Sequence, residues 1–199
     1  MKSFKRYLSE APFLETEPLQ VRPTVSSRLP DSSNLYSMGS MMTDDGEYHF
    51  MGNNENNKSP YREERMYSAY ITKKDSEGNH QVVGRSDFHE HSEFRDHFSA
   101  SFPKLNQEHS KKGLMSELYK RWADHNKVTL ISSRIHTRGG QNVWKELAQK
   151  GEVFARDTIN HNKAVRYNSS DPAQVKRFYT KTRTGRYGPH KYQFFYKGK

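Results

Sequence analysis

The stretch from Phe98 to Gly151 constrains the fold more than any other part of the chain, because it reads as strand, loop with one glycine, helix, strand and helix. Phe98, Ala100 and Phe102 alternate with Ser99 and Ser101 as in a half-buried strand, and Pro103 predicts a bulge or a splayed end. The helix predicted over about 112–125 sets Leu114, Leu118 and Trp122 in one row with Met115 and Tyr119 beside it, an apolar stripe opposite charged residues. Val128 to Ile131 is a short apolar strand. The next helix, about 139–150, turns Val143, Trp144 and Leu147 inward and stops at Gly151. A loop running into a helix N-terminus is a place to hold an anion, since the first N–H groups are unpaired and the helix dipole is positive there. Lys111 and Lys112 add charge at that point, and Gly113 lets a phosphate approach the backbone.

The rest of the chain is organised around that stretch. Phe4, Tyr7, Leu8 and Ala11 predict a short amphipathic helix, and Pro12, Pro18, Pro23 and Pro30 make the following segment an extended linker, so residues 1–34 are read as helix and linker. The first eleven residues resemble the start of many tailed-bacteriophage proteins. Leu35–Met42 and Glu47–Met51 around Asp45-Gly46 predict a hairpin, and Gly52–Lys58 an Asn-rich surface loop. Met66–Ile71 and His80–Gly84 flank a polar turn and predict a second hairpin. Residues 87–97 are dense in titratable side chains and are read as loop or short helix. His89, His91 and His97 match no zinc spacing, so no metal site is assigned. Val153–Asp157 and Lys163–Tyr167 predict a third hairpin.

Charge is unevenly placed. The net charge of +10 is almost all carried from Arg156 onward, where eleven Lys or Arg face only Asp157 and Asp171. Residues 171–199 are accordingly read as a basic, aromatic-rich extension whose partner is nucleic acid or an acidic protein surface, with cations for phosphates and aromatic faces for unpaired bases. Tyr192–Tyr196 also fits a last sheet strand. With no cysteine the chain has no disulfide, thiolate metal site or cysteine nucleophile. No apolar run approaches the ~20 residues of a membrane span. A cytoplasmic location, in a host cell or a virion, is the expectation.

From Met66 to Tyr167 the chain resembles the GNAT superfamily of acetyl-coenzyme A-dependent N-acetyltransferases. The residues that carry the likeness are Ser110-Lys-Lys-Gly113-Leu-Met115-Ser-Glu-Leu-Tyr119, on the family's Arg/Gln-x-x-Gly-x-Gly/Ala pattern, Leu105 five positions ahead of it, and the helix from Gly140 to Gly151. The resemblance implies an α+β domain over residues 35–170, with a mixed, mostly antiparallel sheet flanked by helices and acetyl-CoA as cofactor. It implies cofactor contacts from Lys104, Leu105, Lys111, Lys112, Gly113, Leu114, Met115, Ser116 and Asn142, and direct attack of an unidentified amine on the thioester. Glu90, Glu108 and His136 are candidates by position for taking the amine proton. Three departures are evident: Ser110 replaces Arg or Gln, Met115 replaces a small residue, and Trp144 stands where a tyrosine acid is often found. The alternative is a catalytically inactive phage structural or nucleic-acid-binding protein on the same scaffold.

Overall fold

The computed structural model describes residues 29, 34–54, 57–58, 65–91, 94–133, 138–158, 163–179 and 191–199. The predicted N-terminal helix and all but residues 29 and 34 of the linker lie outside these, as do His136 and the basic loop around Arg183 to Tyr187. The elements in chain order are β1 (Leu35–Thr43), β2 (Gly46–Asn53), β3 (Asn57–Lys58), β4 (Arg65–Lys74), β5 (His80–His91), β6 (Phe94–Leu105), α1 (Leu114–Asn126), β7 (Thr129–Ile131), α2 (Arg138–Lys150), β8 (Val153–Asp157), β9 (Val165–Arg166), α3 (Pro172–Phe178) and β10 (Tyr192–Lys197). The strands form one sheet in the order β1-β2-β4-β5-β6-β7-β10-β8-β9, with β3 beside β4. Every pairing is antiparallel except β6 with β7. The fold is thus α+β, with a mixed, mostly antiparallel sheet and helices against it.

Turn chemistry sets the first hairpins where the residues predict them. Gly46 takes φ 118 at the β1–β2 turn, a conformation open to glycine and strained for other residues. Two expectations need correction. The Asn-rich segment is only partly loop, because β2 runs to a buried Asn53 and Asn57–Lys58 pair with β4. Residues 87–97 are neither loop nor helix but the end of β5 and the start of β6. Period-2 alternation decides this: Phe88 is fully buried under α1, while Asp87 and His89 take the other face of the strand.

Strand β6 holds the fold's main irregularity. Its pairing with β5 slips between Ser101 and Lys104, around Pro103, as a bulge. Its parallel pairing with β7 covers only His97–Ser99 against Thr129–Ile131. Beyond Ser99 β6 runs on to Leu105, about 20 Å of strand, while β7 ends at Ile131, so this edge of β6 has no β7 partner and leaves a fork on the side of the loop that leads into α1.

Strand β10 lies between β7 and β8, pairing Phe195 with both Ile131 and Phe154, so Tyr192–Lys197 is built into the sheet. Four aromatics of residues 171–199 are core: Phe178 is 1% exposed, Tyr192 is buried, and Phe194 and Tyr196 are fully buried. These four have no free face to stack on a base.

The three helices of the described residues pack on one face of the sheet. Trp122 of α1 stacks on Phe88 with ring centroids 3.8 Å apart and meets Phe98 edge-on at 5.2 Å. Trp144 of α2 stacks on Phe194, and Phe178 of α3 meets Tyr192 edge-on. The reverse face is polar where β4, β5 and β6 meet, carrying Ser68, Asp87, Arg85, Ser99 and Ser101. Among the described residues no helix is long and apolar enough to cross a membrane.

Candidate functional site

The loop between β6 and α1 is shaped by its own backbone. Asn106 N–H reaches back to Val83 O, and Gln107–His109 form a single 3-10 turn closed by His109 N–H to Asn106 O and Ser110 N–H to Gln107 O. Lys111 and Gly113 then take φ 64 and 68, a left-handed alternation of the kind that gathers N–H groups into an anion-binding concavity. Gly113 caps α1 with no side-chain cap, and the first helical bond runs from Glu117 N–H to Gly113 O at 3.0 Å. The N–H groups of Leu114, Met115 and Ser116 belong to the first turn, which a helix cannot satisfy from within.

The C-terminal end of α2 buttresses this turn. Lys150 Nζ donates to Gly113 O at 3.1 Å and Ser116 Oγ at 3.2 Å, and pairs with Glu117 at 3.1 Å. Ser116 Oγ donates to Glu146 Oε2 at 2.9 Å. A Cβ on Gly113 would lie 3.3 Å from Lys150 Nζ and 3.5 Å from Glu146 Oε2, room that a small shift of the Lys150 side chain provides, so it is the φ of 68 that calls for glycine.

On the other side the β1–β2 turn reaches the loop. Asp45 Oδ2 takes hydrogen bonds from Lys112 Nζ, from Tyr48 Oη at 2.6 Å and from Lys73 Nζ at 3.3 Å. These donors, Lys112 first, hold the Asp45 carboxyl well below the usual carboxylate range. Tyr48 Oη also bonds His109 Nδ1 at 2.8 Å, and His109 Nε2 lies 3.2 Å from Glu108. Burial pushes the His109 imidazole below its ordinary value, ahead of the opposing pull of Glu108. The loop therefore presents Lys111 as an exposed cation, while Lys112 is already paired.

The expected site residues come together only in part. Lys104 and Leu105 end β6 at the fork, and Lys111 to Ser116 form the turn below it. Met115 does not crowd that turn, because its side chain is 8% exposed and packs into the core. Asn142 is exposed on α2, eight residues or roughly 12 Å of helix from Lys150. Glu90 is held by Arg65 through two bonds of 2.5 and 2.7 Å, Glu108 is an exposed loop residue beside His109, and His136 lies outside the described residues. Trp144 is 5% exposed against Phe194 and serves packing. Asp45, Tyr48, His109, Glu146 and Lys150 were not foreseen; only Lys150 had a signal, a cation in the last turn of a predicted helix. Among the described residues no group of three His, Asp or Glu side chains would hold a metal ion.

No family model and no curated protein matches the chain. Solved structures do. A chimera of the Vibrio cholerae spermidine N-acetyltransferase SpeG and hSSAT matches at 12% identity and TM-score 0.37, over 65% of each chain. The Vibrio cholerae spermidine N-acetyltransferase in complex with CoA and spermine matches at 13% identity and TM-score 0.38, over 65% of this chain and 64% of that one. A second such chimera matches at 11% identity and TM-score 0.40, over 82% of this chain and 95% of that one. The chain thus spans just under two thirds of the length of the first two.

Proposed function

We propose that this protein is an acetyl-CoA-dependent N-acetyltransferase of the GNAT type that acetylates an amine. The observation that carries the reading is the fork between β6 and β7 opening onto a loop with left-handed residues at 111 and 113 and an uncapped helix N-terminus. That is a slot beside a phosphate cradle, where the resemblance places both.

The residues fit the cofactor by chemistry. The N–H groups of Leu114, Met115 and Ser116, with the dipole of a 13-residue helix behind them, suit a pyrophosphate. Lys111 supplies an unshared charge, and Lys150 fixes the Gly113 carbonyl so that the turn keeps its shape. Strand β6 from residue 100 to 105 offers backbone groups along the fork to an amide-bearing arm. When bound, acetyl-CoA supplies an activated acetyl carbonyl. The chain must then bring an amine to it in neutral form.

A thermal-shift titration with coenzyme A tests the reading. A ligand that binds only the folded state raises Tm with concentration; the expected result is a saturable rise with coenzyme A, larger than with AMP. No shift, and no coenzyme A release from acetyl-CoA with any amine, would overturn it. The nucleic-acid reading is not favoured, because Phe178, Tyr192, Phe194 and Tyr196 of the tail are buried in the core rather than free to stack on bases.

A further inference from the structure

The face of the sheet that carries no helix among the described residues holds a buried polar group beside the fork that the cofactor reading does not use. Asp87 is 8% exposed, yet one of its oxygens takes every hydrogen bond: Oδ1 accepts from Ser68 Oγ at 2.7 Å, Arg85 Nη2 at 2.9 Å and Arg85 Nε at 3.0 Å. Oδ2 has no partner among the described residues. Two residues further along the same strand face, His89 Nε2 is buried with no hydrogen-bond partner. Buried polar atoms are almost always paired, so the unsatisfied His89 Nε2, beside an Asp87 carboxylate with one oxygen uncommitted, calls for an account. Across β6 they face Ser101 and Ser99, and Ser99 is the residue at which β6 parts from β7.

We propose that Asp87 and His89 form the acceptor subsite for a primary amine that also carries an anionic group. The proposal rests on the acetyltransferase reading. The free Asp87 oxygen holds the ammonium, and Nε2 of His89, in the tautomer protonated at Nδ1, accepts one proton from it. The neutral nitrogen then forms a C–N bond to the acetyl carbon of acetyl-CoA while the C–S bond breaks with its electron pair on sulfur. The second amine proton goes to that sulfur, and the imidazolium returns its proton to water, so one acetyl group moves and one proton is released. The anionic group is called for by the flank on the loop side. Arg85 and its cross-strand partner Lys104 sit on the same face, the Arg85 guanidinium lying 5.7 Å over the Tyr70 ring. Two cations there attract a carboxylate or phosphate and repel a second ammonium.

Three amines with the same four-carbon chain separate the outcomes: 4-aminobutyrate, n-butylamine and putrescine, with anionic, neutral and cationic far ends. In the full chain labelled at histidine nitrogen, 4-aminobutyrate is expected to shift the ring signals that disappear in His89→Gln, n-butylamine to do so more weakly and putrescine least. Asp87→Asn, close in volume, should abolish the shift. Arg85→Gln, partly exposed, should keep amine binding but level the three. In turnover, His89→Gln should lower kcat about 100-fold with KM little changed, whereas Asp87→Asn should raise KM. No His89 response in wild type, or an undiminished response in Asp87→Asn, would overturn the subsite; a preference for putrescine would overturn its anionic half. Coenzyme A binding, read separately by calorimetry, keeps the two readings apart. Binding of coenzyme A without an amine response defeats the subsite alone, and an amine response without coenzyme A binding defeats the acetyltransferase reading alone.

Discussion

The two faces of the sheet are made of the same strands and do opposite work. On the helix side Tyr67, Phe88 and Phe98 close around Trp122 through ring-to-ring packing. On the reverse side Ser68, Asp87, Thr72 and His80 are held by directed bonds, Thr72 Oγ meeting His80 Nδ1 at 2.8 Å. Apolar burial stabilises without direction, whereas a buried polar group costs free energy unless its partners are in place. The first face therefore holds the domain together, and the second keeps chemical groups in fixed positions at little net gain.

The largest test of that contrast is Trp122→Ala, which should lower unfolding free energy by about 3–5 kcal/mol in denaturant titration. Ser68→Ala on the polar face should cost only about 1 kcal/mol. Equal losses would erase the distinction. The loop at the start of α1 sharpens it, since this polar site lies on the helix side. There, Gly113→Asp should weaken coenzyme A binding about tenfold or more by calorimetry, through like charge at a helix N-terminus. Gly113→Ala, which brings only the strain of a positive φ, should lose much less; equal losses would mean that the loop is not a phosphate cradle.

A smaller and opposite effect is expected at Asp45. Its carboxylate already occupies Lys112 and would repel an incoming phosphate, so Asp45→Asn should tighten coenzyme A binding a few-fold. Weaker binding would show that Asp45 holds the loop in shape instead. The smallest effect is on pH dependence. Burial depresses the folded-state pKa of both His80 and His109. The unfolded chain therefore takes up protons first, and stability should fall as pH drops through about 6.5. His109→Gln should flatten that slope in urea titrations at pH 5 to 8, and an unchanged slope would remove His109 from the account.

Local pattern carried the helices and hairpins, because apolar spacing in α1 and the Asp-Gly turn act over a few residues. The fork was announced by Pro103 in the same way. What stayed hidden depends on distance in the chain: Asp45 meets Lys112 across 67 positions, and Ser116 meets Glu146 across 30. No spacing rule reaches that far. The 87–97 segment hides its strand for a different reason: Asp87 and His89 alternate with Phe88, but Glu90 falls on the Phe88 face, so the period of two is broken after three residues. The last strand is legible as a strand, but its neighbours β7 and β8 are not, because they lie tens of residues upstream in the chain.

The position of β10 has a consequence for the order in which the protein can come together. Strands β1 to β6 are neighbours in sequence and can zip up as the chain is made, whereas β7 and β8 are separated in the sheet by a strand translated at least 34 residues after β8 ends. Until it arrives, Leu130 and Ala155 each have an open edge, and unpaired strand edges invite pairing with other chains. Synthesis thus leaves a window in which half the sheet is finished and the other half is waiting for a single strand to bridge it.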